Sequence, residues 1–272
     1  MIAEAIVTES GITRHGTAWT VTGTGEPVVL IHGVGMQQGV WGPQVLHLAR
    51  THQVLVYDML GHGASLPAQG APILADYANQ LVELLDELGI SSASVAGHSM
   101  GALVALEFAL AHPQRSRRVA ALNAVYRRTQ DQRDAVLARA QALRECGAPA
   151  TAGPTLARWF GDPVPPELQR AATEVAGYLE GVQPLGYAQA YAVFASSDEA
   201  HVGKLDKLVM PALFCTGEYD ANSSPAMAQA MAAEAPIAMA EVIPGARHMM
   251  NVTDAEAVNA SLSRWLDTPV AS

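Results

Sequence analysis

At 272 residues, half of them hydrophobic and only 15% charged, the chain has the composition of one large globular unit, which excludes a disordered or low-complexity protein. Its formal net charge of −10 disfavours nucleic acid and anionic membrane surfaces as partners, because both reward a basic face. Two cysteines, Cys146 and Cys215, are too few for a disulfide framework, and both are expected to be structural free thiols.

The N-terminal stretch Met1 to Ser10 has neither the basic nor the apolar region of a secretory leader. No run approaches about 18 uninterrupted apolar residues, so no membrane span is expected and the cytoplasm is the expected location. The sequons at Asn222, Asn251 and Asn259 are then chance matches.

In chain order, strands are expected at Thr17–Val21, Pro27–Ile31 and Gln53–Tyr57, with a helix near Trp41–Arg50. The second and third strands are continuous apolar runs, as in a parallel sheet covered on both faces. A glycine-punctuated loop, Gly61-His62-Gly63-Ala64-Ser65, precedes an amphipathic helix over Ile73–Leu88, closed by Gly89. A strand at Ala93–Ala96, a helix at Ser99–Ala111 and a strand at Arg118–Leu122 follow.

Residues 124–207 break the alternation: helical stretches such as Asp131–Glu145 and Pro166–Leu179 follow one another without a strong strand between. An insert of that kind cannot extend a sheet and is expected over it as a helical cap, leaving residues 1–123 and 208–272 as the core. Alternation resumes with a strand at Pro211–Cys215, a helix at Pro225–Ala233, a strand at Ala238–Ile243 and a last helix at Asp254–Leu266. The expected class is a doubly wound, mostly parallel α/β fold.

Gly97-His98-Ser99-Met100-Gly101 lies between a strand and a helix, where a strained turn lifts a serine hydroxyl into a cleft. A serine needs a base to take its proton, an acid to orient that base and backbone donors to hold an oxyanion. Asp220 and His248 each follow a strand, in the order nucleophile, acid, histidine. Glu218 is the rival for the acid, and Asp220, two residues further from the strand, suits the position better. The glycines of His32-Gly33-Val34-Gly35 free a backbone N–H after the second strand, so the amides of Val34 and Met100 are the expected oxyanion donors.

Three other histidines, His32, His62 and His98, are expected to be structural. No His, Asp, Glu or Cys spacing suggests a metal, and no cofactor is implied.

On His32-Gly33-Val34-Gly35, Tyr57 to Ser65, the pentapeptide around Ser99, Asp220 and His248, the chain resembles the α/β-hydrolases. Arg247 to Asp254 and Leu156-Ala157-Arg158-Trp159-Phe160 make it most similar, within them, to small-acid hydrolases: enol-lactonases, aminoacrylate hydrolases and acetamidomethylene-succinate hydrolases. It departs in having Ala102 where many relatives have a second glycine.

The resemblance implies a small carboxylate substrate and cleavage of an ester, lactone or enamide C–N bond through an acyl-enzyme. Arginine suits a carboxylate through its planar fork. Arg127, Arg128 and Arg158 are the candidates, with Trp159 and Tyr187 as a wall. A carbon–carbon hydrolase of ring-cleavage products, or a non-catalytic receptor on the same fold, would carry the same residues. The homodimer is left open.

Overall fold

The computed structural model describes residues 7–146 and 149–270; the side chain of Cys146 lies outside the described part. Eight strands form one sheet: β1 (Thr8–Ile12), β2 (Ala18–Thr22), β3 (Glu26–Ile31), β4 (His52–Tyr57), β5 (Ala93–His98), β6 (Ser116–Leu122), β7 (Ala212–Gly217) and β8 (Ala238–Ile243). Their spatial order is β1-β2-β4-β3-β5-β6-β7-β8, with β1 and β2 antiparallel and all strands from β4 to β8 parallel. Val28 to Ile31 on β3 are fully buried, which explains their unbroken apolar run: a central parallel strand is covered on both faces.

Helix α1 (Gly42–Leu48) joins β3 to β4 in one direction along the sheet, whereas α2 (Leu74–Glu87) joins β4 to β5 in the other. Right-handed crossovers then put the two helices on opposite faces. The segment after β5 continues into α3 (Met100–Ala111), which packs on α2 and is apolar except for Glu107, most of its residues being buried.

Between β6 and β7, the described residues hold α4 (Gln130–Cys146), α5 (Pro149–Phe160), α6 (Gln169–Glu180) and α7 (Pro184–Ser196), and no strand. Helix α8 (Pro225–Glu234) links β7 to β8, and α9 (Met250–Thr253) leads into α10 (Ala255–Leu266), which packs on α1.

Two glutamines fix α7 against the loop after β4. Gln183 Nε2 donates to the carbonyls of Gly63 at 3.1 Å and Ser65 at 3.2 Å, and Gln189 Nε2 to those of Ala68 at 3.3 Å and Gly70 at 2.6 Å. The helical segment thus stands against a loop at the carboxyl end of the strands. In open α/β sheets, ligands bind at that end, where the strand order reverses. Here the reversal lies between β3 and β5.

Candidate active site

Ser99 follows β5 with φ 56° and ψ −116°, a conformation L-residues rarely adopt. The glycines on either side permit it. A Cβ on Gly97 would run into the Gly101 carbonyl, and one on Gly101 into the Ile31 carbonyl, so strand, turn and helix close only without side chains there. Ala102, the departure from the family pattern, is fully buried within α3.

Asp220 lies in the loop after β7 and His248 in the loop after β8, and His248 Nδ1 meets Asp220 Oδ2 at 2.8 Å. The same carboxylate oxygen accepts from Asn123 Nδ2 at 2.8 Å, while the other accepts the Asn222 N–H at 2.8 Å. Burial alone would push the Asp220 carboxyl up; the charge and hydrogen bond of His248, with the donors Asn123 and Asn222, outweigh it and hold the group below its ordinary value. Asp220 is therefore an ionised, fully hydrogen-bonded carboxylate against a histidine. Glu218 is exposed and accepts the Gly245 N–H instead.

Asn123, the donor to Asp220, has no mark in the sequence pattern. It follows β6 with φ 53°, in the left-handed region asparagine tolerates, and Ser223 Oγ donates to its carbonyl at 2.6 Å. The turn that ends β6 thereby aims an amide at the acid.

Three of the buried histidines, His32, His62 and His98, act as backbone braces. His32 Nε2 accepts the Met59 N–H at 2.9 Å and its Nδ1 donates to the Gly33 carbonyl at 2.8 Å. His62 Nε2 accepts the Gly35 N–H at 3.1 Å, and its Nδ1 donates to the Leu60 carbonyl at 3.0 Å. His98 Nε2 donates to the His248 carbonyl at 2.8 Å. Burial pushes His32 down to about 4 and His62 and His98 down to about 3, so all three are neutral near pH 7.

With the Gly35 amide taken by His62, no hydrogen bond from the Val34 or Met100 amide is found among the described residues. The Met100 amide also opens α3, where the helix dipole favours negative charge.

The arginines divide. Arg127 pairs with Glu234 at 2.8 Å, its side chain 54% exposed. Arg128 is buried, donates to the carbonyls of Phe194 and Ala195 at the end of α7, and lies 3.5 Å from Asp198. Arg158 donates only to Pro154 and Thr155 of its own helix, with Nε buried and unpartnered among the described residues. Burial, then the nearby Arg139, holds the Arg158 guanidinium below its ordinary value. Arg128, Arg139, Arg158, Gln132 and Asn222 line one cavity of about 120 Å³; Arg127 does not. Arg139 was not expected here, and its Nε donates to the Tyr191 hydroxyl at 3.1 Å.

Trp159 is buried, with its ring 5.4 Å from that of His248 and only 27° from parallel. Tyr187 is buried beside the loop after β3, where a methyl group on Gly35 would meet its ring at 3.0 Å. Cys215 is buried and its thiol is pushed up to about 12, so it is no nucleophile. Of the sequon asparagines, Asn251 is fully buried and bonded to the Val40 carbonyl, a place no glycan can reach. Among the described residues, no group of three or more His, Cys, Asp or Glu could hold a metal, and no helix is long and apolar enough to cross a membrane.

Comparison with known proteins agrees with this fold. The (E)-2-((N-methylformamido)methylene)succinate hydrolase of Acinetobacter baylyi is 38% identical over 269 residues, 98% of this chain and 99% of its own. The 3-oxoadipate enol-lactonase 1 of the same organism is 28% identical over 71% of each chain. The crystal structure of the enol-lactonase from Burkholderia xenovorans LB400 superposes with a TM-score of 0.84 at 25% identity, covering 97% of this chain and 96% of that one. The model of the alpha/beta hydrolase family matches residues 28–261, and the chain belongs to that family.

Proposed function

We propose that the chain is a serine hydrolase for a small, carboxylate-bearing intermediate, cleaving an ester, a lactone or an enamide C–N bond. The observation that carries this reading is the 2.8 Å contact of Asp220 Oδ2 with His248 Nδ1, in a chain whose Ser99 is held in a strained turn after β5. With Nδ1–H committed to Asp220, Nε2 is the basic nitrogen left to serve Ser99.

His248 Nε2 takes the Ser99 proton as Oγ attacks the carbonyl carbon, and the amides of Val34 and Met100 receive the oxyanion. The imidazolium returns that proton to the leaving oxygen or nitrogen as its bond to the acyl carbon breaks. Water then attacks the acyl-enzyme, gives a proton to His248 and releases a carboxylic acid, with Ser99 regenerated. Residues 124–207 serve as a cap, and no cofactor enters any step.

The substrate class rests on two supports. No carboxylate lines the cavity that holds Arg128, Arg139 and Arg158; Asp198, outside it, pairs with Arg128 and Arg133, and Arg139 and Arg158 have no ion pair among the described residues, which leaves cationic forks for a carboxylate. The Acinetobacter relative acts, by its name, on a methylene-succinate enamide.

The purified chain, given an acylaminomethylene-succinate, an enol-lactone and p-nitrophenyl acetate, is expected to favour one of the carboxylate substrates by about 100-fold or more in kcat/KM. Product analysis is expected to show a broken C–N or C–O bond. Cleavage of a vinylogous diketone in preference to all three would contradict the reading.

A further inference from the structure

The His248 ring is held by groups from different parts of the chain. Asp220 fixes Nδ1 at 2.8 Å. His98 donates to the His248 backbone carbonyl and meets the ring at 4.9 Å, tilted by 53°. Neither contact lies flat on the imidazole. The near-parallel contact comes from Trp159, close to the end of α5, with centroids 5.4 Å apart and 27° between planes.

One hydrogen bond at Nδ1 leaves a ring free to tip about the line from Cβ to that nitrogen. Tipping swings Nε2, the atom that must meet Ser99, through the widest arc. Misplacement by about 1 Å can cost on the order of 100-fold in rate. An indole stacked against the ring, with planes 27° apart, opposes that motion. Its face is also the negative side of the aromatic quadrupole, so it favours the imidazolium that forms when His248 holds the serine proton.

We infer that Trp159 is a positioning residue for the catalytic base, so that α5, outside the α/β core, contributes to the chemistry itself. This rests on His248 as the base. Trp159 is 8% exposed and its Nε1 has no partner among the described residues, so no hydrogen bond accounts for the placement of the indole.

The test compares wild type with Trp159→Phe and Trp159→Leu on two neutral esters, p-nitrophenyl acetate and p-nitrophenyl butyrate, with folding followed by thermal melting. Trp159→Leu is expected to lower kcat about ten-fold, by the same factor on both esters, with KM within about two-fold of wild type. Trp159→Phe, which keeps a flat ring, is expected to retain at least about a third of kcat. If Trp159→Leu does not fold, Trp159→Met carries the same comparison.

A rise in KM with kcat intact, or a loss that grows with acyl length, would make Trp159 a substrate wall only and overturn the inference. So would a Trp159→Phe variant as slow as Trp159→Leu. Ester turnover that survives Ser99→Ala would instead remove the underlying reading of the triad, an outcome distinct from either.

Discussion

Asn123 Nδ2 donates to Asp220 Oδ2, the oxygen that also holds His248 Nδ1, so the acid is positioned from the turn after β6 as well as from its own loop. Removing the donor while keeping the left-handed turn isolates its effect. Asn123→Gly does this, because glycine adopts φ 53° without strain. The expected result is a fall of about ten-fold in kcat, little change in KM and a loss of about 1–3 kcal/mol in stability from the under-satisfied buried carboxylate. Steady-state kinetics and urea denaturation measure both.

The strain at Ser99 sets function against stability. Ser99→Gly relieves the positive φ and is expected to raise stability by about 1 kcal/mol. Ser99→Ala keeps the strain and is expected to leave the melting temperature near that of wild type. Both abolish turnover. Paired thermal melts decide it, and equal melting temperatures for the two variants would show that the turn is not strained.

Much of this site was legible because its signals are local or ordered along the chain. The glycines around Ser99, with Asp220 and His248 each just beyond a strand, form a pattern that survives without coordinates. Asn123 has no such pattern: a single asparagine after a strand is common, and only the turn at φ 53° aims it at Asp220. Arg127 and Arg128 are adjacent in sequence and read alike. The left-handed backbone at Arg127, φ 49°, sends one to Glu234 and the other to Asp198. Arg139 lies on α4 within Val136-Leu137-Ala138-Arg139-Ala140, where no motif marks it, and only the packing of α4 against α5 puts it in one cavity with Arg158.

Parts of the fold were hidden for similar reasons. Strand β1 is a mostly exposed edge strand, paired on one side, without the alternation that marks a half-buried strand. Helix α7 has no polar stripe to reveal its period, because it is packed between α4 and the loop after β4. The expected helix Pro166–Leu179 is a short 3-10 turn at Pro166–Leu168 followed by α6, consistent with the consecutive prolines that open it.

The buried histidines predict an acid limb in stability. His32, His62 and His98 have folded-state values of about 4, 3 and 3, against an ordinary value of 6.5. Each folded-state value is depressed, so the unfolded chain binds more protons below pH 6.5. The stabilisation is complete above that pH and is lost as the pH falls towards 4. Each histidine contributes a slope of about 1.4 kcal/mol per pH unit in that window. Urea unfolding from pH 8 to 4 is expected to show a plateau and then a steep fall, and His62→Gln should remove about one third of the slope. A flat profile down to pH 4.5 would contradict it.

Arg139 and Arg158, which have no carboxylate partner among the described residues, make a separable prediction. Arg139→Ala and Arg158→Ala are each expected to raise KM for a dicarboxylate substrate by about ten-fold or more, while leaving p-nitrophenyl acetate within about two-fold of wild type. Equal losses on both substrates would assign the arginines to folding.

The central claim is that Ser99, activated by His248 and Asp220, forms the covalent intermediate. The direct measurement is intact-protein mass spectrometry after exposure to a fluorophosphonate, followed by peptide mapping. The account predicts one adduct per chain, on Ser99, that is absent in Ser99→Ala and slowed by about 1,000-fold or more in His248→Ala. An adduct on another residue, or ester turnover by Ser99→Ala at the wild-type rate, would contradict it.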